Sequence, residues 1–177
     1  MPLKVAGCLM IGLCALADAQ QRPAVDTWEP IRFLLGSWDG EVSGQPGTGK
    51  SQREYKLALN NRFIEVRNKS TYPAQPKNPK GEVHEDWGMI SFDRSRKKFV
   101  LRQFHVEGFV NQFTSTVGPE KSLRFDSEAI ENIPAGYRAR ETYTVVGPDE
   151  FVERFELAEP GKEFEVYSET RFKRRAQ

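Results

Sequence analysis

From Gly36 onward the chain breaks into short runs rich in Val, Phe, Tyr and Thr, each closed by Gly, Pro or Asn. That spacing belongs to a sandwich or a barrel. Strands are predicted near 37–42, 52–59, 63–71, 83–92, 99–105, 110–117, 123–130, 137–146, 151–157 and 164–173. Between them stand Asn60-Asn61, Asp93-Arg94-Ser95, Glu107-Gly108, Gly118-Pro119, Pro134-Ala135-Gly136, Gly147-Pro148-Asp149 and Glu159-Pro160-Gly161. Gly and Asn tolerate positive φ and Pro presets the turn value, so most connections suit tight antiparallel hairpins. Ahead of the first strand, 28–35 bunches its apolar residues toward one side, as one short helical turn would.

Alternation along the strands is present but mixed. In the last one, Phe164, Val166, Ser168, Thr170 and Phe172 share a face. In the strand from Tyr137, one face carries Tyr137, Ala139, Glu141, Tyr143 and Val145, so charge sits among large apolar side chains. A sandwich buries uniformly apolar faces, whereas a barrel with a cavity lines part of its interior with polar groups. The expected fold is therefore all-β: a single antiparallel up-and-down barrel of about ten strands, with a short N-terminal helical turn. Segment 72–81, rich in Pro and Lys, reads as one longer loop.

The first 19 residues change where this barrel is expected to work. Lys4, an apolar run over 5–16 and Ala17-Asp18-Ala19 fit a secretory signal with its cleavage site, leaving 20–177 as one barrel domain, periplasmic or secreted. The run is shorter than the roughly 20 residues that span a bilayer, and no later segment approaches that length. Cys8 and Cys14 both lie in the leader, so cleavage leaves no thiol for disulfides, zinc thiolates or nucleophilic catalysis. Basic and acidic residues number 26 and 25, a net charge of +1 that gives no footprint of a nucleic-acid binder. The basic end, Arg171, Lys173, Arg174 and Arg175, reads as a solvated terminus.

Gly44 to Ser51, GQPGTGKS, satisfies the phosphate-binding pattern G-x-x-x-x-G-K-[ST]. Its context disagrees. The preceding Ser37-Trp38-Asp39-Gly40-Glu41-Val42 is half polar, unlike a buried parallel strand, and no βαβ alternation follows. Residues 45–50 are read as a hairpin loop, although 51–59 could also be drawn as a short helix.

In Leu34-Leu35-Gly36-Ser37-Trp38-Asp39-Gly40-Glu41-Val42-Ser43-Gly44, a glycine admits the chain to a coiled first strand, and a tryptophan two residues on can close a barrel floor. This segment resembles the G-x-W-x-G-x-x-x-G opening of calycin-type barrels, above all the nitrobindin-like haem-binding barrels and related exported bacterial families. The resemblance extends loosely over the chain to the closing strand Glu163 to Phe172. It implies a lipocalin-like or fatty-acid-binding-protein-like barrel that holds a small, largely apolar molecule. Haem does not carry over directly, because that group places an axial histidine near its end and this last strand has none. His84 and His105, the two histidines, are the remaining candidates for iron.

The expected activity is thus binding of a small apolar or amphipathic molecule in a lumen, with Trp38, Tyr55, Trp87, Phe104, His105, Phe113, Glu141 and Tyr143 as its wall. Acid/base chemistry by Glu141 or His105 in the same barrel is the enzymatic alternative, and an interaction surface at 72–81 a third. No Ser-His-Asp context is recognisable, and no nucleophile is assigned. His84 and Asp86 share a strand face and could join Glu107 or His105 around a metal, but two ligands do not make a site, and none is assigned from sequence.

Overall fold

A computed structural model describes residues 26–118 and 122–176. The leader expected over 1–19 lies outside them. The strands are β1 (Gly36–Gly44), β2 (Gly47–Ala58), β3 (Phe63–Tyr72), β4 (Glu82–Asp93), β5 (Lys98–His105), β6 (Val110–Val117), β7 (Ser122–Glu131), β8 (Arg138–Gly147), β9 (Glu150–Ala158) and β10 (Glu165–Arg174). Each pairs antiparallel with its sequence neighbour, and β1 pairs with β10, so the sheet is a closed up-and-down barrel. Closure leaves no free sheet edge. Among the described residues no helix is long and apolar enough to cross a membrane.

The 45–50 loop is shorter than expected. Gly44 pairs with Gly47, leaving Gln45-Pro46 as the connection, and β2 begins five residues earlier than predicted. The phosphate-loop pattern therefore lies on two antiparallel strands with no helix behind it. The alternative helix over 51–59 is strand.

A 3₁₀ helix, Glu29–Leu34, packs across one end of the barrel. Pro30 starts it at a position where the missing N–H is harmless. Ile31 and Leu34 are fully buried, and Trp28 stacks on Phe99 at 5.8 Å. Trp38 inserts beneath, its Nε1 donating to the Leu34 carbonyl at 2.7 Å and its ring meeting Phe151 edge-on at 4.7 Å. Arg174 covers the same indole at 4.1 Å and donates to the Leu35 carbonyl at 2.6 Å. The basic end is thus partly structural rather than simply solvated: Arg174 ties the last strand to the cap, Arg171 pairs with Glu150 and Arg175 with Asp39.

The glycines flanking Trp38 have separate reasons. Gly36 sits at φ 118, where a Cβ would also meet Arg174 Nη1 at 2.6 Å. At Gly40 a Cβ would meet the Thr170 methyl at 2.6 Å and the Phe172 ring at 2.8 Å, so the first and last strands close only over a bare backbone.

Candidate binding site in the lumen

Along the inward face of each strand the side chains change character in layers. Near the capped end they are Tyr55, Ile64, Ile90, Leu101, Phe113, Tyr143, Phe151 and Phe172, all buried in one cluster with Trp38. Two residues further along the same faces stand Arg53, Gln103, Asn111, Glu141, Glu153 and Thr170, joined by Asp86, which lies beyond Gly88 on the face of Ile90, all of them buried. Beyond this polar belt a cavity of about 430 Å³ opens, walled on its far side by Tyr72, Phe109, Ile130, Ile133, Tyr137, Phe155, Leu157 and Tyr167. Its volume falls in the roughly 300–1,000 Å³ range of small-molecule pockets.

Arg53 anchors the belt. Its two terminal nitrogens donate to Glu153 at 2.8 and 2.9 Å, and its Nε donates to Asn68 Oδ1 at 3.1 Å. Burial works against the guanidinium charge, and the Glu153 carboxylate overrides it. Asn68 passes the network on, donating to Asp86 Oδ2 at 2.8 Å, and Ser51 and Ser70 complete the chain of bonds. Among the described residues, Gln103 Oε1 and Asn111 Oδ1 are buried with no hydrogen-bond partner.

On the β4–β5 wall the two histidines meet. His84 Nδ1 lies 2.8 Å from Glu107 Oε1, its Nε2 lies 3.5 Å from Asp86 Oδ2 and 3.4 Å from His105 Nδ1, and His105 Nε2 lies 3.1 Å from the Asn111 amide. Burial would lower the His84 pKa, but Asp86 and Glu107 raise it to about 9. His105, stacked on Phe109 at 4.0 Å, is pushed by burial down to about 4. Burial also opposes the Asp86 charge, yet bonding to His84 and the charge of Arg53 hold that carboxyl below its ordinary value.

Glu141 behaves oppositely. Burial, then repulsion from Glu153, lift its pKa to about 8, although Tyr143 donates to it at 2.5 Å. Below about pH 4.5 the carboxyl is neutral folded or unfolded; between 4.5 and about 8 only the folded chain keeps its proton, so this group makes stability fall as pH rises. Glu141→Gln removes that term. In urea unfolding the variant should match the native protein near pH 4.5 and exceed it at pH 8 and above; parallel pH dependences in the two proteins would refute the assignment.

Of the residues read from sequence as wall, His105 and Glu141 line the cavity. Trp38, Tyr55, Phe113 and Tyr143 point inward but belong to the packed layer beneath it. Trp87 and Phe104 lie on the opposite face: they are 39% and 46% exposed and pair with each other at 5.7 Å outside the barrel. The polar residues beside them, Asp86 and Gln103, take the interior, reversing the usual rule that the aromatic goes in. Sequence reading missed Arg53, Asn68, Gln103 and Asn111. The surviving signal for Arg53 is its place two residues before Tyr55, on the same strand face.

Haem does not fit these residues. The inward face of β10 offers Ser168, Thr170 and Phe172, and all four histidine ring nitrogens are engaged by one another or by Asp86, Glu107 and Asn111. The two rings face each other at 5.4 Å with their near nitrogens 3.4 Å apart, which leaves no room for a macrocycle to enter between them, and the surrounding carboxylates would oppose its propionates.

The fold has solved counterparts. The crystal structure of Rv2717c from M. tuberculosis superposes with a TM-score of 0.62 at 16% identity, over 85% of this chain and 98% of that one. Two designed barrels follow at lower similarity: a fluorescence-activating β-barrel (TM-score 0.43, 17% identity, 81% of this chain and 94% of that one) and a redesigned barrel bound to DFHBI (0.45, 8%, 81% and 100%). No protein-family model and no curated protein matches the chain.

Proposed function

We propose that this chain is an exported binding barrel whose lumen holds a small amphipathic molecule, with its apolar body among the mouth aromatics and a hydrogen-bond-donating head on the polar belt. The observation that carries the reading is the two-toned cavity of about 430 Å³, acceptor-rich at the floor and mostly apolar toward the mouth, where Glu82, His84 and Glu107 form the polar exception on one wall. Arg53 is engaged by Glu153, Asn68 and Tyr55, while, among the described residues, Gln103 Oε1 lacks a donor and Glu141 lies in the wall. The ionised Asp86 carboxylate and the bare Gln103 oxygen would repel a carboxylate head there, so an amine, hydroxyl or amide suits the floor better than a fatty acid. Export rests on the leader pattern over 1–19.

Native mass spectrometry of gently purified protein tests this reading. A stoichiometric adduct is expected, and it should vanish in Ala139→Phe, which places a ring in the cavity wall. A bare mass together with no saturable binding of an amphipathic dye would overturn it. A second reading, acid/base catalysis on the bound molecule, is favoured by one observation: Glu141 is a lumen carboxyl that keeps its proton to about pH 8.

A further inference from the structure

Beyond small-molecule binding, we propose that His84, Asp86 and His105 form a mononuclear transition-metal site, of the zinc type, in the β4–β5 wall of the lumen. The three ligand atoms all lie within 4.8 Å of one another. His84 Nε2 is 3.4 Å from His105 Nδ1 and 3.5 Å from Asp86 Oδ2. A tetrahedral ion with bonds of about 2.0–2.1 Å sets its ligands about 3.3–3.4 Å apart, so two of the edges are already close to length. Local register places the residues: His84 and Asp86 are two apart on β4, and Asp86 pairs with His105 across to β5.

The groups behind these ligands match those that hold metal-bound imidazoles. Glu107 Oε1 sits 2.8 Å from the far nitrogen of His84, and the Asn111 amide 3.1 Å from that of His105. Asn68 donates to Asp86 Oδ2 at 2.8 Å. The partnerless Asn111 Oδ1 fits this arrangement. With an ion on Nδ1 of His105, the Nε2 carries the proton, and turning the Asn111 amide over lets its oxygen accept that proton. Gln103 donates to the other Asp86 oxygen at 3.5 Å and keeps a bare acceptor in the cavity wall, suited to a water in the fourth coordination position. Two imidazoles and one carboxylate select a borderline ion over calcium or magnesium, which take oxygen ligands.

A second triad, Glu82, His84 and Glu107, uses the other nitrogen of His84. It offers one imidazole and two more exposed acids, which makes it the weaker holder and the natural competitor in the test.

Titrating the chelator-treated protein with cobalt(II), then zinc, tests the proposal without reference to any organic ligand. One equivalent of each should bind, and cobalt should give the intense visible bands of tetrahedral coordination. His105→Ala and His84→Gln should each weaken zinc by at least about 100-fold, and Glu107→Gln by about 10-fold. Circular dichroism confirms that each variant is folded. If His105→Ala does not fold, Asn111→Asp takes its place; this variant strengthens the acceptor behind His105 and should tighten zinc. No binding, a weak octahedral cobalt spectrum, or unchanged zinc affinity in folded His105→Ala would overturn the proposal, the last by assigning the ion to Glu82 and Glu107. These signals come from the ion alone, so they fail or succeed independently of the organic adduct.

Discussion

Replacing Arg53 with methionine should lower the unfolding free energy by about 3–5 kcal/mol, because it strips the partner from a buried carboxylate. Arg53 and Glu153 are 6% and 7% exposed, and the pair is bidentate. It joins β2 to β9 over the two intervening strands β1 and β10, so no backbone ladder substitutes for it. Losing the guanidinium also removes a donor from Asn68 and the cation over the Phe172 ring. The double variant Arg53→Met, Glu153→Leu should recover most of the loss, since an apolar pair of similar volume is often neutral or better than a buried ion pair. Urea unfolding of the single and double variants reads both effects. A loss below about 1 kcal/mol in the single variant, the size expected of an exposed pair, would mean that water enters the belt and that the pair is not dry.

Trp38→Ala should cost a similar amount, about 3–5 kcal/mol, by a different cause. The indole is 1% exposed and packs on Phe151 and Arg174, so truncation leaves a cavity in the best-packed layer. It also leaves the buried Leu34 carbonyl without its donor, which loosens the 3₁₀ cap. Trp38→Phe keeps much of the volume and loses the hydrogen bond, so it should fall between alanine and native. Thermal unfolding followed by far-ultraviolet circular dichroism distinguishes these cases. If phenylalanine and alanine were equally destabilising, the hydrogen bond to Leu34, rather than packing, would be the dominant contribution.

How much of this was written in the sequence differs between the frame and the site. All ten strands and the short helix before them were legible, because hairpin chemistry is local: Asn60, Asn61 and Gly108 take positive φ where the turns demand it. The 45–50 segment misled because its glycines and proline suggest a longer loop, while Gly47 and Gly49 pair within the ladder opposite Gly44 and Val42. The opening G-x-W-x-G was legible as a closing device, and its contacts with Phe172, Thr170 and Arg174 give the reason.

The site was only half legible. Glu141 and His105 could be placed in the lumen because they share strand faces with apolar neighbours. Trp87 and Phe104 could not be placed correctly, since β4 and β5 carry aromatic and polar residues on opposite faces and size favours burying the aromatic. Alternation along a strand states which residues share a face, and that much the chain determines by itself. Which face turns inward, and which charges then meet, was decided only when β1 closed on β10 and brought Arg53 against Glu153, 100 residues away. A buried charge is tolerable only with its partner in place, and that partner is supplied by closure of the barrel rather than by any neighbour in sequence.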